Sequence, residues 1–122
     1  QERAFLRFGR GPAEDPSVGA KVFSNFCAAC HGGKGEGVSL LAPPLDGSEW
    51  LMKKDEVLIK IVLEGLMGPI KVAGKDYNLA MPPLLTLSDE EIAEVLTYLR
   101  QQWAPAANAI SAAAVAEIRQ GL

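Results

Sequence analysis

The pentapeptide CAACH constrains this chain more than any other stretch, because it contains both cysteines and the only histidine among 122 residues. Cys27, Cys30 and His31 follow the C-x-x-C-H pattern by which c-type haem is attached to proteins. Two thiols add to the porphyrin vinyl groups, and the adjacent imidazole becomes an axial ligand of the iron. One turn at the end of a helix would place both sulfurs at the same ring edge. The motif therefore predicts one covalent haem c.

Two other uses of these residues, a structural zinc site and a thioredoxin-like redox pair, fit the chain less well. A structural zinc ion normally takes four ligands, and no Cys or His follows His31. A redox pair is expected at the N-terminus of a helix within a βαβ unit. Here the cysteines follow a helical stretch, and the sequence has no parallel-sheet pattern. Zinc binding and a disulfide are therefore kept only as minor alternatives to haem.

Hydrophobic periodicity predicts three helices. The clearest is SDEEIAEVLTYLRQQW, where apolar residues recur at helical spacing and Ser88 forms a capping box with Glu91. KDEVLIKIVLEG predicts a largely buried helix that ends at Gly65. PSVGAKVFSNFCAAC predicts a first helix that begins after Pro16 and runs into the cysteines. The fold class is therefore all-α.

The stretches between these helices are rich in glycine and proline, which predicts long irregular loops. In GPIKVAGKDYNLAMPP the alternation of apolar and polar residues predicts a short β-hairpin about Ala73 and Gly74. A few helices with such loops would leave a poor core. Long structureless loops in a compact domain usually indicate function or a missing component. We therefore expect a large apolar prosthetic group in the middle of the fold.

The sixth coordination position of the iron has several candidates, because the chain has no second histidine. They are Met52, Met67, Met81, a lysine, or an open site. Met81 is favoured because LAMPPLL is an irregular segment stiffened by two prolines just before the last strong helix. A methionine can also be simple core filling, and that interpretation suits Met52 and Met67 better, since each adjoins the apolar middle helix. His31 and Met81 are the predicted axial pair.

Composition excludes several classes of protein. The chain is 48% hydrophobic and 22% charged, as in ordinary soluble globules. A net charge of -3 argues against a nucleic-acid partner, which requires clustered Lys and Arg. No apolar run approaches the length of a membrane span, and QERAFLRFGRGP lacks the apolar stretch of a secretory signal. We expect a mature chain or one excised from a longer protein.

The combination of CAACH, APPLDGS, MPP and a closing amphipathic helix resembles the class I cytochrome c family, in particular bacterial mono-haem members, over residues 17–103. The resemblance implies the cytochrome c fold, with three to four helices and long loops around the haem. It also implies a close crossing of the first and last helices, made by Gly19 and Phe23 on one side and Val95 and Tyr98 on the other.

The resemblance extends to residues around the haem. PPLDG is similar to the family segment whose proline carbonyl accepts a hydrogen bond from the axial imidazole, and Pro43 is the residue chosen for that carbonyl. Such a bond would orient the ring and make His31 a better ligand. Trp50 and Tyr77 resemble the aromatics that hydrogen-bond the haem propionates in relatives. Plain core aromatics are the equally weighted alternative.

Two extensions flank the haem domain, at residues 1–16 and 104–122. Ser111 is predicted to cap a short alanine-rich helix with Val115 and Ile118 as its sparse apolar face. Packing of both extensions over the haem domain is the plain interpretation. The alternative is a tether to a lipid anchor or a larger polypeptide, although the C-terminal segment lacks the Gly, Ser and polar residues of a linker.

Coordination predicts the function. With His31 and Met81 both on the iron, no position remains for oxygen or substrate, so a single-electron carrier rather than an enzyme is expected. The alternatives are the haem module of a larger dehydrogenase, nitrite reductase or oxidase subunit, and an enzyme or gas sensor with an open distal site.

The resemblance also implies redox partners and a location. The expected partners are a quinol:cytochrome c reductase-type donor and a terminal oxidase-type acceptor in a respiratory chain. The protein is expected to be a monomer in the periplasm or another extracytoplasmic compartment, free or membrane-associated. Docking is expected at the haem edge, on an apolar collar made of Ala28, Ala29, Leu41, Pro82, Pro83 and Leu84.

Overall fold

The computed structural model describes residues 16–39, 41–78 and 80–122. Helix α1 (Pro16–Val22) continues through a π-helical turn (Phe23–Cys27) into α2 (Ala28–His31). The later elements are a 3-10 helix (Glu49–Met52), α3 (Asp55–Glu64), β1 (Pro69–Val72), β2 (Lys75–Asn78), α4 (Asp89–Trp103) and α5 (Ala112–Gln120). The prediction of a mainly helical fold with a hairpin and an extra C-terminal helix is confirmed. The predicted packing of the N-terminal extension lies outside the described residues.

The helix boundaries follow the local signals. The Ser88 hydroxyl accepts a hydrogen bond from the Glu91 N–H at 3.1 Å, and the Glu91 carboxylate accepts one from the Ser88 N–H at 2.8 Å. This is the predicted capping box at the start of α4. Helix α3 ends at Gly65, also as predicted. No helix in the described ranges is long and apolar enough to cross a bilayer.

The first and last helices of the haem domain cross at a close contact. A Cβ atom on Gly19 would lie 2.6 Å from the Glu94 carbonyl oxygen and 2.6 Å from the Tyr98 Cβ, so only glycine fits without a shift. The Phe23 and Tyr98 rings pack beside this point with their centroids 5.8 Å apart. The atoms nearest to Gly19 thus come from Glu94 and Tyr98, while Val95 is buried in the same core. The crossing fixes the helix that ends in CAACH.

A buried arginine joins α4 to three other parts of the chain. Arg100 is 2% exposed, and its guanidinium donates to the carbonyl oxygens of Leu51 at 3.0 Å, Lys53 at 2.6 Å and Asn108 at 2.8 Å. It also pairs with the Asp55 carboxylate at 2.7 Å. These bonds tie the 3-10 helix and the start of α3 to α4. No local sequence pattern had indicated a role for Arg100.

The C-terminal segment packs against α3 and α4. Val115 is fully buried, and the Ser111 hydroxyl accepts from the Ala114 N–H at 3.1 Å at the start of α5. Before this helix, the Thr97 hydroxyl exchanges two hydrogen bonds with the backbone of Ile110, at 3.2 and 2.9 Å. The segment therefore shares the apolar core of the haem domain.

The predicted hairpin is confirmed, with its turn at Ala73 and Gly74. Strands β1 and β2 pair antiparallel from Pro69 opposite Asn78 to Val72 opposite Lys75. Both turn residues have positive φ, +50° at Ala73 and +82° at Gly74, which matches the twist of a two-residue hairpin loop.

Candidate functional site

An apolar cavity lies among the CAACH segment, the loop 41–51, α3, the hairpin, the segment 80–84 and α4. Most of its lining side chains are aliphatic or aromatic. The lining includes the four residues predicted to attach or ligate the haem, Cys27, Cys30, His31 and Met81. The fold thus brings the predicted axial pair, His31 and Met81, 50 positions apart in sequence, onto one cavity.

The imidazole of His31 is fixed by a backbone carbonyl. Its Nδ1 lies 2.9 Å from the carbonyl oxygen of Pro43, the residue that the family resemblance indicated. A carbonyl can only accept, so Nδ1 carries the proton and Nε2 keeps its lone pair. Burial lowers the pKa of His31 and outweighs the opposing effect of the Pro43 bond. The ring is therefore neutral at neutral pH and able to bind a metal through Nε2.

The glycine-rich loop after CAACH brings Pro43 to the histidine. The Gly37 N–H donates to the His31 carbonyl at 2.6 Å, and the loop then returns along the Pro43–Pro44 segment. A Cβ on Gly37 would lie 2.7 Å from the Pro44 nitrogen, and its φ is +83°. Both the close approach and the positive φ require glycine. Gly37 thus allows the loop to pass close enough to bring Pro43 next to the imidazole.

The cysteines have the environment of an attachment site rather than of a redox pair. Cys27 is half-buried and Cys30 exposed, one turn apart, and both border the cavity. Burial, with a smaller effect of Cys30, raises the pKa of the Cys27 thiol to about 11. A thioredoxin-like pair requires a lowered thiol pKa. Within the described ranges, no three His, Cys, Asp or Glu side chains cluster as a metal site.

Of the three methionines, all of which the structure describes, Met81 is the one that lines the cavity. Two backbone hydrogen bonds pair Met81 with Leu66. The Met81 N–H donates to the Leu66 carbonyl at 2.7 Å, and the Leu66 N–H donates to the Met81 carbonyl at 2.9 Å. Met52 is 55% exposed and Met67 is 82% exposed. The alternative interpretation, that Met52 and Met67 fill the core, is therefore wrong. Neither side chain lines the cavity.

The two predicted propionate contacts, Trp50 and Tyr77, both line the cavity. The Trp50 Nε1–H donates to the Lys71 carbonyl at 2.8 Å and so joins the 3-10 helix to the hairpin. An indole has a single N–H donor, so this bond and a bond to a propionate compete. Tyr77 is half-buried on β2. A propionate contact of either residue stays a prediction.

Glu49, which the sequence analysis did not single out, makes a second bond between the same two elements. Its carboxylate accepts from the Ala73 N–H in the hairpin turn at 2.8 Å. The pKa of the Glu49 carboxyl is lowered, mainly by this hydrogen bond. Nothing in the local sequence could have indicated the contact, because it depends on where the hairpin docks.

These observations fit a c-type haem. Apolar walls suit the porphyrin, Cys27 and Cys30 offer thiols one turn apart, and His31 offers a neutral nitrogen. A model of the family described as cytochrome c matches residues 17–103. The chain belongs to the cytochrome c family. This protein is therefore a haem-containing electron-transfer protein and not an enzyme, as predicted.

Curated relatives place this cytochrome beside two kinds of protein. It is 42% identical to cytochrome c-552 of Thermus thermophilus, over 84% of this chain and 71% of that protein. It is also 32% identical to the cytochrome c subunit of a quinone alcohol dehydrogenase from Gluconobacter oxydans and 34% identical to that of a gluconate 2-dehydrogenase from Pantoea cypripedii. The chain covers only 22% and 25% of those two subunits.

Proposed function

We propose that this cytochrome carries single electrons with His31 and Met81 as the two axial ligands of its haem iron. The observation that supports this is the convergence of both side chains on the cavity that Cys27 and Cys30 border. When bound, haem would supply a one-electron Fe(III)/Fe(II) couple, and a thioether ligand favours Fe(II). The Pro43 carbonyl holds the ring of His31, and Leu66 holds the backbone of Met81, so protein contacts fix the position of both residues.

The ligand assignment is tested by comparing Met81→Ala with Met67→Ala. Met81→Ala should lose the charge-transfer band at the red end of the ferric spectrum and lower the reduction potential, because the thioether is gone. Met67 is 82% exposed, so Met67→Ala should keep both and serves as the matched control. The opposite pattern would show that Met67 is the ligand.

Covalent attachment through Cys27 and Cys30 has its own test. Acid-acetone extraction of the denatured protein should leave the haem on the polypeptide, because thioether bonds survive denaturation. Haem recovered in the solvent would mean that the cysteines do not hold it.

For partners, we propose a quinol:cytochrome c reductase-type donor and a terminal oxidase-type acceptor that dock on the apolar collar. In the collar, Ala29, Leu41, Pro82 and Pro83 are exposed, and Leu41 and Pro82 also border the cavity. The chain carries a net charge of -3, so a ring of lysines is not the expected steering device. Electron transfer to the oxidase should depend only weakly on ionic strength. A steep fall in rate between low and moderate salt would contradict this mode of docking.

The second candidate is a haem module of a larger dehydrogenase, which the similarity to dehydrogenase cytochrome c subunits favours. In either role the protein would be a monomeric haem domain in the periplasm or another extracytoplasmic compartment, free or tethered to a membrane. Purification from the native organism distinguishes the two roles. A free carrier elutes as a monomer, whereas a module co-purifies with dehydrogenase activity.

A further inference from the structure

The hairpin and the Leu66–Met81 bridge beyond it share one antiparallel register, and the two pairings are together called the ribbon. Within the hairpin, Pro69 is opposite Asn78. Leu66, three residues before Pro69, is opposite Met81, three residues after Asn78, in an isolated bridge. The two pairings have the same register, so the bridge at Met81 is in line with the ladder that begins at the turn. The position of Met81 therefore depends on where the hairpin lies.

The hairpin is held to the rest of the fold near its turn. Among the described residues, the hairpin makes two hydrogen bonds to other elements: the Ala73 N–H donates to the Glu49 carboxylate, and the Lys71 carbonyl accepts from the Trp50 indole N–H. Two-stranded hairpins are marginally stable on their own, so such anchors decide whether the ribbon stays in place. Glu49 does not itself line the cavity.

We propose that Glu49 is a positioning residue for Met81, acting through the hairpin whose turn its carboxylate holds. This role rests on the proposed assignment of Met81 as the axial ligand. The mechanism requires no contact between Glu49 and the cofactor. Loss of the Ala73 bond leaves the Trp50–Lys71 hydrogen bond as the remaining anchor of the hairpin, so the turn end of the ribbon is held less firmly and the Leu66 bridge has less support in positioning the backbone of Met81.

Three variants of the holoprotein separate this role from a change of charge. Glu49→Ala removes the acceptor for Ala73, whereas Glu49→Gln keeps an amide oxygen at the same reach. Glu56→Ala is the charge-matched control, because Glu56 lies exposed on α3 and pairs only locally with Lys60, at 3.2 Å. Ferric samples are titrated with imidazole, which competes with a protein thioether for the iron, and the red charge-transfer band reports displacement. Far-UV circular dichroism on the same samples confirms that each variant is folded.

Glu49→Ala should bind imidazole more tightly by roughly two- to threefold, the low end of the range for one hydrogen bond, since the carboxylate is exposed. Glu49→Gln and Glu56→Ala should match the wild type. Equal affinity of Glu49→Ala and wild type, or an equal increase in either other variant, would overturn the positioning role alone. A wild-type ferric protein without the red band would instead overturn the Met81 assignment and the positioning role with it.

Discussion

Replacement of Arg100 by methionine should destabilise this cytochrome by about 3 kcal/mol. Methionine keeps an apolar stem but removes the donors to Leu51, Lys53, Asn108 and Asp55. An unsatisfied buried carbonyl costs about 1–3 kcal/mol, and the loss of one member of a buried ion pair about 3–5 kcal/mol. Lys53 and Asn108 are exposed and the Asp55 side chain is 36% exposed, so these groups can rehydrate when the guanidinium is lost, and the total is taken at the low end of that second range.

The assay is thermal unfolding of the holoprotein followed by far-UV circular dichroism. For a domain of this size, the expected loss lowers Tm by about 10 °C. The Tm of Arg100→Lys should lie about halfway between those of wild type and Arg100→Met, because lysine keeps the charge but not the planar set of donors. Asp55→Asn should lower stability less in the Arg100→Met variant than in the wild type, since the ion pair is already broken in that variant.

The reasoning would be refuted if Arg100→Met lost less than about 1 kcal/mol, a size typical of surface substitutions. It would also be refuted if Arg100→Lys behaved as the wild type, because the network would then need only a charge.

Three further predictions follow from particular contacts. Gly19→Ala should lower the free energy of unfolding by about 1–3 kcal/mol, because the added Cβ overpacks the helix crossing. Gly33→Ala is the control and should leave stability unchanged, since a Cβ there meets nothing within 4 Å. Denaturant titration compares the two variants. Thr97→Val should cost about 1–3 kcal/mol in the same titration, because it leaves the buried backbone of Ile110 without partners. Folding lowers the pKa of the Glu49 carboxyl, so the stability that Glu49 contributes is present above its ordinary pKa and is lost as pH falls through the folded value. The Tm difference between wild type and Glu49→Ala should therefore shrink as pH falls from about 6 to about 3. A difference that grows over this range would contradict the prediction.

Features that depend on a few neighbouring residues could be predicted from the sequence. The capping box at Ser88 and the hairpin turn at Ala73 and Gly74 are both set within four residues, and both are present. The same holds for the helix that runs into CAACH, although its π-helical turn at Phe23–Cys27 was not predicted. Local chemistry decides these features before any tertiary contact forms.

Features that depend on distant partners could not be predicted. The acceptors of Arg100 in Leu51, Lys53 and Asp55 lie 45 to 49 residues away, so no local pattern marks this arginine as buried. Trp50 could be placed at the cavity by resemblance, but its bond to Lys71 depends on how the hairpin docks. Arginine is normally exposed, and the four hydrogen bonds of Arg100 make its burial tolerable.

The resemblance supplied what spacing alone could not, namely the pairing of Pro43 with His31. The structure has this hydrogen bond at 2.9 Å across 12 positions. At the helix crossing the resemblance was correct for Gly19 and Tyr98, whereas the backbone that approaches the glycine belongs to Glu94. A family pattern thus identifies the elements that meet, and the exact neighbours depend on side-chain packing in this chain.

The most direct test of the central claim is the optical spectrum of the ferrous protein before and after addition of carbon monoxide. If His31 and Met81 fill both axial positions, the spectrum should not change, because the gas finds no open coordination site. The same addition to Met81→Ala should shift the haem bands, which shows that the assay detects an open position. A carbon monoxide complex that forms readily in the wild type would contradict the account and indicate an open or weakly ligated haem.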